Sequence, residues 1–271
     1  MRLGSRSGLI VWAIAAVIFA AAAVQTHALR LHLGRGTVIS GWLLLTVMAG
    51  LVLFNMRKRL SMVPLGRAST SLVLHIVGGV LAIGLFLIHA DTVWPTSSYE
   101  RLLALLFYLA SLSGLFGYIA QRIYPQRLTQ LDYEIIYERI PAEIALMRDE
   151  AEGIVLRCSA ETGSDTVANH YLDALAWYFR RPRFAVSSLA GSTRAEHWLN
   201  QEFASVARYL NQAEKAFLAQ LRELCAVKVK IDRHYASQNL MKLWLLFHLP
   251  LVAALCVVAL WHVLLVHIYA V

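Results

Sequence analysis

Charged residues are scarce in this chain of 271 residues. Only 15% of its residues are charged and 58% are hydrophobic, whereas a soluble domain has roughly 25% charged residues. Asp, Glu, Lys and Arg are absent from five runs, each long enough to cross the roughly 30 Å of hydrocarbon in a bilayer. These runs cover residues 8–24, 38–56, 69–90, 102–121 and 243–270. The sequence therefore predicts an all-α, polytopic membrane bundle with five spans.

Cysteine is also rare, and its spacing excludes several kinds of site. The three cysteines are Cys158, Cys225 and Cys256, and no two of them form a C-x-x-C pair. Without C-x-x-C or C-x-x-C-H, neither a zinc site nor covalent c-type haem attachment is expected. The three residues are predicted to be free thiols.

Acidic residues are nearly absent outside one segment. Residues 121–242 hold 16 Lys and Arg against 15 Asp and Glu, while the rest of the chain holds 9 against 2. The net charge of +8 thus arises mainly beside the spans, where Lys and Arg set the orientation in the membrane. This distribution argues against a nucleic-acid partner.

The basic residues predict an orientation in the cell (inner) membrane. The loop between the second and third spans contains Arg57, Lys58, Arg59 and Arg67. By the positive-inside rule the N-terminus, this loop and the segment after the fourth span are cytoplasmic, and the C-terminus lies outside. The first span resembles either a cleaved signal peptide or an uncleaved anchor, and we favour the anchor.

The chain is predicted to divide into three parts. Residues 1–123 hold four spans, residues 124–242 form a cytoplasmic helical insert, and residues 243–271 supply the fifth span. Apolar residues at helical spacing predict an antiparallel helical hairpin in the insert. Its second helix is predicted to begin near Thr193 and to continue into the fifth span, because no Gly or Pro occurs before Pro250. The insert histidines His170, His197 and His234 lack metal-site spacing and are predicted to be surface residues.

Four histidines occur in matched registers within two spans. His75 and His89 are fourteen positions apart in the third span, and His248 and His262 repeat that spacing in the fifth. Fourteen residues of α-helix rise about 21 Å and end about 40° short of four full turns, so each pair occupies one face at two depths. The predicted topology makes these spans parallel. His75 is therefore predicted to face His248 near the inner side, and His89 to face His262 near the outer side.

Ionisable side chains within spans are rare and usually functional. Neutral imidazole is the commonest metal ligand in proteins, and bundle cores are where such cofactors are bound. The pattern predicts two b-type haems, each held by two of the four histidines. Gly79, one turn from His75, leaves room for a flat macrocycle. Arg101 is a candidate partner for a haem propionate, with anchoring of the topology as its alternative role.

Two simpler readings apply to individual histidines. An intramembrane histidine is often a polar contact between helices, and that explanation stays open for each of the four. His267 lies about 140° around the helix from His262 and is predicted to face the membrane interface.

Paired histidines fourteen residues apart on two parallel spans resemble those of the membrane cytochrome b families. These include quinol–cytochrome c reductases and the cytochrome b subunits of dehydrogenases, and ferric reductases and NADPH oxidases are similar. The resemblance covers the spans and not the insert. It implies that His75, His89, His248 and His262 are haem ligands. The chain has no recognisable flavin or nicotinamide domain, which counts against a self-contained ferric reductase.

Three functional hypotheses follow. The first is a di-haem electron carrier within an oxidoreductase complex, linking a quinone or cytoplasmic donor to an outer cytochrome or other acceptor, with further subunits on the insert. The second is a structural or assembly subunit without haem. The third is a transporter that uses the histidines as a relay. The absence of Asp, Glu, Lys and Arg from the third and fifth spans argues against the third hypothesis.

Overall fold

A computed structural model describes residues 6–31, 36–56 and 68–269 of the chain. Within these ranges the regular structure is entirely helical. The α-helices are α1 (Arg6–Leu31), α2 (Gly36–Met56), α3 (Ala68–Ala90), α4 (Ser98–Leu128), α5 (Ile140–Thr162), α6 (Thr166–His170), α7 (Ala185–Leu189), α8 (Arg194–Ala207) and α9 (Gln212–Tyr269). Short 3₁₀ and π segments connect some of them.

Five of these helices, α1, α2, α3, α4 and α9, are long and apolar enough to cross a membrane. The prediction of an all-α chain with five spans is therefore confirmed, and the chain is a multi-pass membrane protein. The helices extend beyond the uncharged runs, and α4 begins at Ser98 rather than near Leu102. The basic loop with Arg57, Lys58, Arg59 and Arg67, which sets the predicted orientation, lies outside the described residues.

The chain divides into two compact units. The membrane unit comprises Met1–Tyr118 and Phe247–Val271, and the insert unit comprises Ile119–Leu246. These limits lie close to the predicted boundaries after residues 123 and 242. Helices α4 and α9 each contribute residues to both units.

An apolar core of the membrane unit contains buried residues from five helices, α1, α2, α3, α4 and α9. Leu85 and Phe86 of α3, Leu44 of α2, Phe107 of α4 and Leu255 of α9 are all buried in it. The rings of Phe86 and Phe107 stack with centroids 4.3 Å apart and planes 12° from parallel. This close contact fixes α4 against α3. The core thus fills the level between the two histidines of α3.

Helix α1 packs against α2 and α3. A Cβ atom added to Gly84 of α3 would lie 2.7 Å from the Phe19 ring of α1, so only glycine admits that ring. Small residues of this kind allow membrane helices to approach closely. Ala15 of α1 is buried with Val73 and Val77 of α3 in a second small cluster.

The insert unit has its own hydrophobic core. Residues from α5, α6, α8 and the first half of α9 are buried in it, together with the aromatic segment that contains Tyr178 and Phe179. Pro141 lies in the first turn of α5, where its missing N–H costs no hydrogen bond. Gly163 ends α5 with φ of 67°, a left-handed conformation that glycine adopts without strain.

The predicted single helix from Thr193 into the fifth span is wrong, because the chain breaks between α8 and α9. The reason is a reciprocal cap at the start of α9. The N–H of Glu214 donates to the Asn211 side-chain oxygen at 2.9 Å, and the N–H of Asn211 donates to the Glu214 carboxylate at 2.7 Å. These bonds satisfy donors at a new helix start. Beyond this break, α9 continues through Pro250 to Tyr269.

Removing this cap should loosen the start of α9. Asn211→Ala is expected to cost about 1 kcal/mol, which corresponds to roughly 5-fold faster amide exchange in the first turns of α9. Hydrogen exchange of the full chain in detergent measures this change. Asn211→Asp, which keeps an acceptor oxygen, and Gln212→Ala, an exposed neighbour, are the controls. Equal exchange in Asn211→Ala and Gln212→Ala would contradict the assigned cap.

The insert core also encloses an ion pair. Lys228 and Asp232 of α9 are 0% and 1% exposed, and their charged groups are 2.8 Å apart. Lys228 also donates to the Arg181 carbonyl at 3.3 Å and lies 4.0 Å from the centre of the Tyr178 ring. Burial raises the pKa of Asp232 to about 6 and lowers the pKa of Lys228. Each charge therefore depends on the other, because neither reaches water.

The predicted surface position of His234 is wrong. The side chain is 5% exposed, and its Nε2 lies 2.6 Å from the Tyr133 carbonyl. Because a carbonyl oxygen only accepts, the imidazole donates this bond. His234 therefore links α9 to the segment that precedes α5.

Candidate functional site

The structure brings the two later histidines of the matched registers together. The imidazole of His89 near the end of α3 lies beside that of His262 on α9, with ring centroids 6.2 Å apart and planes at 84°. Two imidazole nitrogens about 2 Å from a shared metal ion place their ring centroids about 6 Å apart. The separation of this pair would therefore accommodate one metal ion between the two rings.

Hydrogen bonding determines the proton position on His89. Its Nδ1 lies 3.0 Å from the Thr37 carbonyl of α2, and a carbonyl oxygen can only accept. His89 therefore donates from Nδ1, and the lone pair of the neutral ring is on Nε2. Metal-binding histidines are characteristically oriented by such a bond from the second ring nitrogen.

Two further features hold the His89 ring in place. A Cβ atom added to Gly41 of α2 would lie 2.8 Å from Cε1 of His89, so the ring occupies the space of a missing side chain. Helix α3 ends directly after His89, with Asp91 in the left-handed region at φ of 56°. Asp tolerates this conformation better than most residues. The helix end thus places His89 in the last turn of α3.

A cavity of about 680 Å³ adjoins this pair. Its volume lies within the range of roughly 300–1,000 Å³ that is typical of cofactor and ligand sites. His89 and His262 both line it, and so do Phe86 and Leu255 of the apolar core. Most of the exposed lining is apolar. The cavity therefore offers two imidazoles and an apolar surface for a large flat ligand.

Tyr99 packs beside His262. The rings of Tyr99 and His262 stack with centroids 6.2 Å apart and planes 19° from parallel. The Tyr99 hydroxyl donates to the Val258 carbonyl, one turn before His262, at 2.8 Å. The start of α4 is thereby attached to α9 at the level of the site. Tyr99 was not predicted as a site residue, since an aromatic residue near a span end is typical of the membrane interface.

The earlier histidines of the two registers also belong together. His75 on α3 interacts electrostatically with His248 on α9 and lies beside the Leu51 carbonyl of α2. The Nδ1 atom of His248 is 3.1 Å from the Ser113 hydroxyl on α4. Because His75 lies near His248 and His89 lies beside His262, α3 and the membrane part of α9 run in the same direction.

Glycines around the His75–His248 pair differ in their surroundings. A Cβ atom at Gly114 of α4 would lie 3.9 Å from Cε1 of His248, so that residue borders the imidazole. At Gly79, the predicted cofactor contact, an added Cβ atom would meet nothing within 4 Å. Gly78 instead faces the Leu51 side chain, 3.0 Å from its added Cβ atom. The surface of α3 is thus open at Gly79 and closed at Gly78.

Arg101 is engaged by the loop before α4. Its Nε donates to the Pro95 carbonyl at 3.1 Å, and its guanidinium also donates to the Thr96 carbonyl. Pro95 and Thr96 line the cavity. In the structure Arg101 therefore fixes the loop at the cavity wall, a contact different from the predicted propionate pairing.

His267 lies in the last turn of α9. Although it is exposed, it lines the same cavity as His89 and His262. Its ring meets Trp42 of α2 edge to face, with centroids 5.5 Å apart, and its Nδ1 lies 2.8 Å from the Val263 carbonyl. His267 thus contacts Trp42, a residue far away in sequence that also lines the cavity.

No family model, curated protein or solved structure matches this chain. Within the described ranges, no group of three or more His, Cys, Asp or Glu side chains is arranged to hold a metal ion. A bis-imidazole site needs only two protein ligands because the macrocycle supplies the others. The donor set, the separation of the rings and the cavity fit a haem better than a bare metal ion.

Proposed function

We propose that this chain is a di-haem b-type membrane cytochrome that carries electrons across the membrane. The observation that supports this most is the facing of His89 and His262, with centroids 6.2 Å apart, beside a cavity of about 680 Å³. The same spacing on both helices relates His75 to His248, and this supports a second site. The same fourteen-residue spacing on α3 and α9 then separates the two sites by about 21 Å along the helices.

Each residue of the two sites has a distinct task in this proposal. His89 and His262 would hold one haem iron and His75 and His248 the other, through neutral imidazole nitrogens. Bound haem iron supplies reversible one-electron exchange between its ferric and ferrous states. Phe86, Phe107 and Leu255 exclude water from the level between the sites, since all three are buried. Thr37 and Ser113 orient the ligands through hydrogen bonds.

The wider assignment belongs to the same proposal. The chain would act as an electron-transfer subunit of a redox complex in the inner membrane, with its N-terminus and insert in the cytoplasm and its C-terminus outside. A quinone or a cytoplasmic protein would be the donor, and an outer cytochrome or other carrier the acceptor. The insert unit, with its own buried core, would provide the docking surface for other subunits.

Pigment and haem stoichiometry test this function. The purified chain is expected to show a Soret band and a haem-to-protein ratio of about two, because there are two bis-imidazole sites. His75→Ala and His262→Ala should each lower the ratio to about one, while His27→Ala, which changes an exposed residue of α1, should leave it unchanged. Reduced-minus-oxidised spectra give the readout. A colourless protein, or a ratio unaffected by the two variants, would reject the proposal.

A structural or assembly subunit remains the second candidate. The contacts of His89 with the Thr37 carbonyl and of His248 with Ser113 also join helices, as polar side chains do in membrane bundles. On this alternative the histidines stabilise the bundle without a cofactor. The pure protein would then be colourless, and the His75→Ala and His262→Ala variants would lose thermal stability instead of haem.

A further inference from the structure

One histidine of each pair, His89 and His248, has a defined Nδ1 contact, and the two contacts differ. His89 donates to a backbone carbonyl, that of Thr37, at 3.0 Å. His248 instead faces a side-chain hydroxyl, that of Ser113, at 3.1 Å. Ser113 is 8% exposed, so water does not easily replace this contact. The two contacts are therefore chemically distinct and are supplied by different helices.

Ser40 makes the contact at His89 a shared one. Its hydroxyl donates to the same Thr37 carbonyl at 3.0 Å and lies 3.4 Å from Nδ1 of His89. Ser40 is 1% exposed, so its hydroxyl has little access to water as another partner. A carbonyl oxygen has two lone pairs, but a second donor withdraws electron density and weakens the first bond. The Ser40 oxygen is only a weak second acceptor for the His89 N–H, at 3.4 Å, so competition for the Thr37 carbonyl is the larger effect and weakens the bond that His89 makes.

These contacts act on the basicity of the imidazole. When Nδ1–H donates to an acceptor, the ring becomes more electron-rich and Nε2 becomes a stronger ligand. A stronger donor favours the ferric over the ferrous state of a haem iron and so lowers its reduction potential. With Nε2 of His248 on a metal, Nδ1 of the neutral ring carries the proton and donates to Ser113.

We propose that Ser113 and Ser40 are positioning residues that set the reduction potentials of the two sites in opposite directions. Ser113 lowers the potential of the His75–His248 site by accepting from His248. Ser40 raises the potential of the His89–His262 site by competing for the Thr37 carbonyl. This inference rests on the proposed haem function. It adds to that function a driving force between the two sites that is built into α2 and α4.

Potentiometric redox titration of the full chain tests the inference. In Ser113→Ala, one of the two midpoint potentials is expected to rise. In Ser40→Ala, the other midpoint potential is expected to fall. Ser113→Thr keeps the hydroxyl and should titrate like the unaltered protein. Ser111→Ala on α4 and Thr46→Val on α2 are matched controls, and neither should move a potential. The Thr46 hydroxyl donates to the Trp42 carbonyl.

The outcomes separate this inference from the proposed function. If the unaltered chain binds no haem, both fail. If it binds two haems and neither serine variant moves a potential, the function stands and the inference is rejected. Shifts of the same sign in both variants, or shifts at the same haem, also reject it. Should Ser113→Ala lose one haem, Ser113→Cys, which offers a weaker sulfur acceptor, is expected to give a smaller upward shift. An unchanged potential in that variant rejects the role of Ser113.

Discussion

Gly41→Val is expected to abolish haem binding at the His89–His262 site. Any Cβ atom at this position would lie 2.8 Å from Cε1 of His89, closer than non-bonded carbon atoms approach. The imidazole must then leave its position beside His262 and lose its bond to Thr37. The ratio of haem to protein should fall to about one, as it should for His262→Ala. Pyridine haemochrome analysis with protein quantification measures it.

Gly50→Val is the matched control for this variant. Gly50 lies on the same helix α2, and an added Cβ atom there would meet nothing within 4 Å. Both variants replace glycine by valine within a helix, so their effects on helix propensity are similar. Gly50→Val should therefore retain the full haem content and both midpoint potentials. Full haem content in Gly41→Val would contradict the claim that haem binding requires the His89 ring in its position beside Gly41.

Lys228→Met is expected to destabilise the insert unit by about 3–5 kcal/mol, because it leaves the carboxylate of Asp232 buried without its partner. Asp232 is only 1% exposed and its carboxylate is 2.8 Å from the Lys228 ammonium. The loss corresponds to an increase in amide exchange of roughly 10²-fold to a few times 10³-fold for globally protected sites. Exchange of peptides from α5 in the full chain measures it, because α5 contributes to the same core.

Two further variants serve as the control and the rescue for this prediction. Lys215→Met removes an exposed lysine from the same helix α9 and should change exchange little. The double variant Lys228→Met/Asp232→Leu removes both charges and should recover most of the lost stability, since apolar residues often replace a buried pair at no cost. A single variant as stable as the unaltered protein, or a double variant no better than the single, would contradict the assigned dependence.

The break at Asn211 was predictable in principle but was missed. The sequence contains an Asn followed three residues later by Glu, which is the pattern of a helix start. The apolar spacing in the insert, with no Gly or Pro between Thr193 and Pro250, nevertheless suggested one uninterrupted helix. Periodicity indicates which face is buried and does not locate a short interruption that preserves the face. Local capping chemistry decides such a boundary.

The burial of Lys228, Asp232 and His234, in contrast, could not be predicted from the sequence. Lys and Asp four residues apart on a helix are usually a solvated surface pair, yet here both are buried. The aromatic segment with Tyr178 and Phe179 covers them, and it lies about fifty residues earlier in the chain. Their burial depends on packing between distant segments, which no local pattern carries.

The sequence by itself determined the membrane character, the five spans and the matched registers of His75, His89, His248 and His262. These follow from hydropathy and helical geometry, which are properties of contiguous residues. Only the tertiary structure decided the surroundings of the imidazoles. The partners of His89 and His248 are 52 and 135 residues away in sequence. The packing of α2, α4 and α9 decides what lies beside each imidazole. It can be a carbonyl, a hydroxyl or the space left free by Gly41.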